Sequence, residues 1–585
     1  MNDIRRTILW VIFGFSMVLL WDQWQVHNGQ KPMFAFLPSQ QTALLSKTTP
    51  AGAGAVAALP STGASAVPSA VQANAAGVAL PPGVTAPAPA APREKIVVST
   101  DKLKLTFDTE GGTLVKAELL GQIDMADKSK NFVLLDESAN RVYTAQTGLI
   151  GAAAGTVPFP THKTLMTVLP GERTLKDGSN ELVVAFESPD EGGIKVVKTW
   201  TLKRGAYDIA VKHDVINNST TTQSPQLYLQ LVRDGNKPVG ESSFYSTFTG
   251  PAVYTSEKKY QKVEFTDIEK NKIDIEKTGT DGYVAMVQHY FASAWVLNGA
   301  VDKEGKAQPL KRDLFMRKVD TNLYAVGMIA GLDNIAPATH KSVDAIFYVG
   351  PQEEKKLEAL APGLDLVKDY GWLTIMAKPL YWLLDQLHTL IGNWGWSIMA
   401  LVLLIKIAFY WLTAKGYESM GKMKAINPKI TEMRERLKDK PQEMQQEMMR
   451  IYREEKVNPM GGCLPMVVQI PVFIALYWVL LSTVEMRNAP WALWIHDLAA
   501  PDPFYILPLV MTLTTLVQTA LNPAPPDPMQ AKMMWIMPLA FSVMFFFFPS
   551  GLVLYWITNN VLSIAQQWVI NTRMGVPPQF NLPKF

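Results

Sequence analysis

Hydrophobic and polar positions follow three rhythms along the chain. From residue 94 to about 350 they alternate, as in Leu103, Leu105 and Phe107, or Tyr207, Ile209, Val211, His213 and Val215. Turn signals such as Glu110-Gly111-Gly112, Lys203-Arg204-Gly205 and Asn217-Asn218-Ser219 separate these runs. Period two with frequent turns predicts one large all-β domain over 94–350, a sandwich or a barrel. After Pro351 the rhythm becomes helical. A short charged helix over 352–360 precedes 378–391, where Leu380, Leu383, Leu384, Leu387 and Ile391 share one face and Asp385, Gln386, His388 and Thr389 lie off it. The stretch 351–393 therefore reads as a linker helix followed by an amphipathic helix lying in a membrane interface.

The third rhythm is continuous apolarity, at 394–413, 463–484, 504–521, 534–548 and 552–571. Each reads as a membrane span. Pro465 and Pro471 are tolerable there because neighbouring groups can satisfy freed carbonyls. Pro549-Ser550-Gly551 forces the last two spans into a tight antiparallel pair. A further apolar run, 7–21, follows Arg5 and Arg6, and no Ala-x-Ala-like site follows it. Residues 1–24 thus read as a signal anchor, the alternative being a cleaved signal peptide. Residues 25–93 are Ala- and Pro-rich, with almost no charge over 46–92, and read as a flexible linker. The predicted fold class is a multi-pass α-helical membrane protein with six transmembrane helices and a large extracytoplasmic all-β domain.

Charge then fixes an orientation. Between the first two of the five spans, residues 414–458 hold eleven Lys/Arg and eight Asp/Glu. Met420, Met423, Ile430, Met433 and Leu437, then Met444, Met448 and Ile451, have helical spacing, with a break at Asp439-Lys440-Pro441. This is a helical hairpin. The loop 485–503 carries only Arg487, and the Pro-Ser-Gly turn carries no cation. Short basic loops stay cytoplasmic, so the hairpin, both termini and the 572–585 tail are placed inside and the β-domain outside. Eleven of 16 Trp follow residue 370, and Trp372, Trp382, Trp394, Trp396, Trp491 and Trp494 are placed near the outer interface as an aromatic belt. Over 585 residues only 18% are charged, below the roughly 25% of soluble domains. A net charge of +3 gives no global basic field for nucleic acid. A single cysteine excludes an intramolecular disulfide framework or a cysteine zinc cluster. There is no phosphate-binding Gly-x-x-x-x-Gly-Lys-Ser/Thr loop, no His-Glu-x-x-His and no catalytic constellation. The reading is accordingly not an enzyme, with no cofactor and no metal.

Lys406 carries the strongest chemical signal. It lies within an otherwise apolar span, where a cation costs about 2.5–3.5 kcal/mol. No Asp or Glu occurs in the other four of these five spans, so a water-filled cavity is the expected surrounding. Gln469, Gln518 and Asn559 either line that cavity or bond between helices. Tyr555, Asn559 and Gln566 fall near one face of the last span. Methionine is the second signal: eighteen of 26 follow residue 370. Met420, Met423, Met444, Met448 and Met449 suit either a surface for varied apolar partners or packing between the hairpin helices.

The stretches 429–437, Asn458-Pro-Met-Gly-Gly-Cys-Leu-Pro465, Ala492-Leu-Trp-Ile-His-Asp-Leu498, Tyr505-Ile-Leu-Pro508 and Phe548-Pro-Ser-Gly-Leu-Val-Leu-Tyr555 resemble the YidC/Oxa/Alb family of membrane protein insertases, in its Gram-negative form. The resemblance implies a periplasmic β-supersandwich similar to sugar-mutarotase folds. It also implies a five-helix core over 394–571 around a hydrophilic groove open to cytoplasm and lipid, in the bacterial inner membrane. The implied activity is insertion and folding of nascent inner-membrane proteins, alone or with the Sec translocon. Implied partners are those nascent chains, the Sec translocon, the ribosome and signal-recognition targeting machinery, and membrane lipids, with no specific nucleic acid. The groove cation, usually Arg, matches Lys406 here, and the Tyr-Tyr of the last span matches Tyr555-Trp556. Lys keeps the charge and loses the bidentate fork. Rival readings are a channel or secondary transporter using Lys406, and a scaffold whose β-domain binds a partner.

Overall fold

The computed structural model describes residues 93–125, 127–238, 247–301, 307–308, 310–437, 440–455, 464–522, 528–573, 575 and 580. The expected signal anchor (1–24), all but Arg93 of the expected linker, the end of the hairpin and most of the tail lie outside the described residues. The chain divides into two compact units, with the boundary between Lys368 and Asp369.

The first unit is built from two antiparallel sheets. Among the described residues, one runs in the spatial order Lys95–Ser99, Leu103–Asp108, Thr113–Ile123, Asn131–Ser138, Arg141–Ile150, Gln226–Asp234, Leu323–Gly331, Arg312–Asp320, Thr278–Gly279. The other runs Lys259–Lys262, Gly250–Thr255, Tyr283–Gln288, Phe291–Val301, His340–Pro351, Asp208–Asn217, Ile194–Lys203, Glu181–Glu187, Thr167–Val168, with Ala307–Gln308 paired to Phe291–Val301. Period two is visible in Ile194–Lys203, where Ile194, Val196, Lys198, Trp200 and Leu202 are buried and the residues between them are partly exposed. Aromatic side chains fill the core: Phe107 and Trp200 lie 4.9 Å apart, Trp295 and Phe347 4.6 Å. The turn signals do their expected work. Gly111 sits at φ +72°, and a Cβ there would lie 2.3 Å from the His162 carbonyl oxygen, so only glycine fits. The alternation fails in the middle of the first sheet. Gln226–Asp234 is buried on nearly every residue of both faces, because its outward side is also covered; the Tyr228 hydroxyl there accepts the His162 backbone N–H at 3.0 Å.

The second unit is helical. It comprises α1 (Thr374–Ile391), α2 (Trp394–Ala408), α3 (Tyr410–Arg436), α4 (Pro441–Glu454), α5 (Leu464–Ser482), α6 (Ile506–Leu521), α7 (Pro528–Met544) and α8 (Ser550–Arg573). Ile398, Leu401, Leu476, Val479, Met511, Leu552 and Val553 form its core. The Pro-Ser-Gly turn is pinned by Ser550 N–H donating to the Ala500 carbonyl (2.8 Å) and Gly551 N–H to that of Leu498 (2.9 Å). A polar seam joins α6 and α8: Asn560 donates to Thr515 Oγ1 at 2.9 Å and to Thr514 Oγ1 at 3.2 Å. In the hairpin, Ile426, Ile430 and Met433 of α3 pack with Met444, Met448 and Ile451 of α4, and Lys429 pairs with Glu455 at 2.5 Å. Pro441 opens α4 at its first turn, where its missing N–H costs nothing.

The apolar stretch expected as one span over 394–413 is two helices. α2 ends at Ala408 and the chain bends by 67° into α3. Among the described residues no single helix is both long and apolar enough to cross a membrane. The bent pair Trp394–Ala408 and Tyr410–Met423 meets that condition together, and Gln469–Ser482, Ile506–Leu521 and Ala531–Phe547 are shorter apolar helices. Continuous apolarity in a sequence does not register a backbone break of this kind.

Candidate functional site

The bend at Phe409 builds the site. Lys406 lies in the last turn of α2, at the negative end of the helix dipole. A cation is favoured there, which offsets part of the cost of placing it among apolar helices. The chain leaves α2 through Phe409, whose N–H donates to the Ile405 carbonyl at 3.0 Å, and Thr413 Oγ1 donates to the Phe409 carbonyl at 3.0 Å.

Around this corner lies a cavity of about 470 Å³, its open mouth included. The α2–α3 corner lines it with Val402, Ile405, Lys406, Phe409, Leu412 and Thr413. Gln469 and Val472 come from α5, and Tyr555 and Asn559 from α8. Gln469 Nε2 donates to Asn559 Oδ1 at 2.9 Å across the α5–α8 boundary. Lys406 Nζ donates to Ser563 Oγ at 2.8 Å. An ammonium has three donors, and that is the only hydrogen bond of Lys406 among the described residues. No carboxylate there pairs with it. The lining thus offers one cation, an amide pair and hydroxyls on an apolar wall, a set suited to holding a carboxylate or a backbone amide.

Residues 95–383 match the family model of the YidC periplasmic domain, and residues 386–576 that of the 60Kd inner membrane protein. A Membrane protein insertase YidC of Cupriavidus metallidurans is 53% identical over 577 residues, covering 98% of this chain and 98% of the relative. One from Ralstonia nicotianae is 52% identical over 573 residues, with the same coverage of both. The chain belongs to the YidC family of membrane protein insertases. This is a family of insertases rather than enzymes, resident in the inner membrane with a periplasmic β-domain beside a helical membrane part. A solved structure of an active YidC insertase with the first transmembrane domain resolved is 21% identical, over 81% of this chain and 92% of that one. Its TM-score of 0.36 is too low to inform the geometry described here.

Trp556 lies beside the cavity residues in an aromatic cluster, 4.7 Å from Phe473 and 4.9 Å from Phe545 between ring centres. Gln518 is half-buried on α6 and is not among the lining residues. Gln566, near the Tyr555–Asn559 face, has both amide atoms buried with no protein partner among the described residues. Met423, Met444 and Met448 pack inside the hairpin, Met420 is half-buried, and Met449 is 52% exposed. Within the aromatic belt, Trp382 and Trp396 are exposed. Trp394 is buried against His388, with 3.9 Å between ring centres, and Trp494 Nε1 donates to Asp502 at 3.0 Å.

Sequence reasoning missed Ser563, Thr413 and the corner at Phe409. Ser563 was open to detection, since it stands four residues after Asn559 and eight after Tyr555, on the same helical face. The corner has no signal, because neither proline nor glycine marks it.

Proposed function

We propose that the cavity around Lys406 receives the short polar, often acidic, flank of a nascent membrane segment while the segment itself passes into lipid. Lys406 attracts the carboxylate, and Gln469, Asn559 and Tyr555 offer hydrogen bonds to the chain in transit. A unit-charge pair at 4 Å is worth about 4 kcal/mol at an effective dielectric near 20, comparable with the cost of carrying a charge partway into a bilayer. Burial of the apolar segment, at about 25 cal/mol per Å², supplies the net drive without nucleotide. The hairpin, through Met449 and Met420, offers the first apolar contact. Trp556 shapes the wall beside Tyr555, and Gln518 bonds between helices.

In the same reading the chain has six spans, formed by 1–24 and the five stretches of 394–571, with both termini cytoplasmic. The Sec translocon, ribosome and targeting machinery are its partners. The basic hairpin loop supports this orientation. The observation that carries the proposal is a lysine with one hydrogen bond facing an open cavity among apolar helices. The test compares Lys406→Ala with Lys406→Arg in proteoliposomes, using substrates with Asp or Asn in the flank. The Ala variant is expected to lose preference for the Asp substrate and the Arg variant to keep it. Equal insertion of all substrates by Ala and wild type overturns the proposal.

A further inference from the structure

A single serine decides where the Lys406 charge is held. The Ser563 hydroxyl has one proton, and it donates that proton to the Asn559 carbonyl, four residues back, at 2.6 Å. Its oxygen is therefore left as an acceptor, and Lys406 Nζ meets it at 2.8 Å. Ser563 is only 3% exposed, so water does not compete for that oxygen. Asn559 is engaged at both ends, its carbonyl by Ser563 and its side-chain amide oxygen by Gln469. The serine is thus fixed to a helix that is itself tied to α5.

A lysine lacking such an acceptor has a long, flexible stem and extends toward the nearest water or headgroup. Lys406 has that option, because it stands three residues from the corner where α2 ends. With Ser563 present, the ammonium stays at the cavity wall with two N–H donors left to face a guest.

We propose that Ser563 is a positioning residue for insertion: it holds the Lys406 ammonium at the cavity wall and so sets the preference for substrates whose flank carries a carboxylate. This rests on the insertion reading above and adds to it a residue that touches no substrate. It also fits lysine in particular, which presents a point charge and accepts a single fixed partner where a guanidinium fork needs several.

The experiment uses the full chain in proteoliposomes and reads the ratio of insertion for one apolar substrate carrying Asp or Asn in its flank. Ser563→Ala is expected to lower the Asp/Asn ratio about fivefold, the scale of losing one ordinary hydrogen bond. Ser563→Thr, which retains the hydroxyl, is expected to keep the wild-type ratio. A structural defect lowers both substrates in proportion and leaves the ratio alone, and that result in Ser563→Ala overturns the proposal. Lys406→Ala separates the two levels. If it loses the preference while Ser563→Ala keeps it, the role of Ser563 falls and the insertion reading stands; if Lys406→Ala keeps the preference, both fall.

Discussion

Lys198 in the first unit and Lys406 in the second both stand among apolar side chains, and their surroundings differ in kind. Lys198 is buried within the β-sandwich and donates to two backbone carbonyls, Gly111 at 2.6 Å and Thr147 at 3.2 Å. Burial alone pushes it down to about 7 from an ordinary value of 10.5. His213 stands beside it, its Nε2 3.0 Å from Thr147 Oγ1, and is pushed down to about 3 by burial and by the nearby lysine. Lys406, in contrast, has one hydroxyl partner and opens onto a cavity. The first lysine ties loop and strand backbones together across a packed core. The second retains unspent hydrogen-bonding capacity where a guest can reach it. Burial of a cation does not by itself indicate function; unsatisfied donors beside empty space do.

The comparison breaks most visibly in an insertion assay. Lys406→Ala is expected to reduce insertion of acidic-flank substrates about tenfold, a conservative share of the charge-pair energy. Lys198→Met is expected to leave the Asp/Asn ratio unchanged; a shift in that ratio would erase the distinction between the two lysines. Within the β-domain, Gly111→Ala forces a Cβ into the His162 carbonyl at a left-handed φ of +72° and is expected to cost about 3 kcal/mol, read from urea unfolding of the β-domain in the full chain. Gly205→Ala, at φ +75° with open space around it, is expected to cost only about 1 kcal/mol.

The pH dependence of β-domain stability is a more specific test. Both buried bases give up their proton at lower pH in the fold than in the unfolded chain. Between pH 3 and 6.5 the unfolded chain protonates at His213 while the folded one does not, and between about pH 7 and 10.5 the same holds at Lys198. The unfolded state binds more protons in both windows, so stability rises with pH through each, by at most about 1.4 kcal/mol per unit per group. Lys198→Met is expected to flatten the upper window and, by removing the charge beside His213, to shorten the lower climb without abolishing it, in urea midpoints measured across pH. Smallest is the contrast inside the hairpin. Met448→Ala removes packing and is expected to cost about 1–2 kcal/mol, whereas exposed Met449→Ala costs less than about 0.5, by hydrogen exchange of α3 and α4. A photocrosslinker at 449 is expected to capture a nascent chain and one at 448 is not.

Much of this was legible in the residues. The alternation around Trp200, the glycine turns at Gly111 and Gly205 and the helical spacing of Met444, Met448 and Ile451 each encode local geometry directly. A lysine and several amides within apolar runs marked the cavity, because polarity in such runs is costly enough to be noticed. What escaped depends on contacts distant in sequence. The pairing of Gln469 with Asn559 spans 90 positions, and the covering of the Tyr228 face depends on His162, 66 positions away. The corner at Phe409 is invisible because ordinary apolar residues surround it. Gln518 looks like Gln469 in sequence, yet α6 contributes no residue to the cavity lining.

Insertion by this route requires the Lys406 cavity to be wet, reachable from the cytoplasm and occupied by acidic flanks. With the native Cys463 replaced by serine, Leu412→Cys places a thiol on the lining and leaves the Gln469–Asn559 and Lys406–Ser563 hydrogen bonds intact. A membrane-impermeant thiol reagent added from the cytoplasmic side is expected to modify it, and an arrested nascent chain with an Asp flank is expected to protect it better than the same chain with Asn. A thiol that stays unmodified, or one that both chains leave equally exposed, contradicts the account.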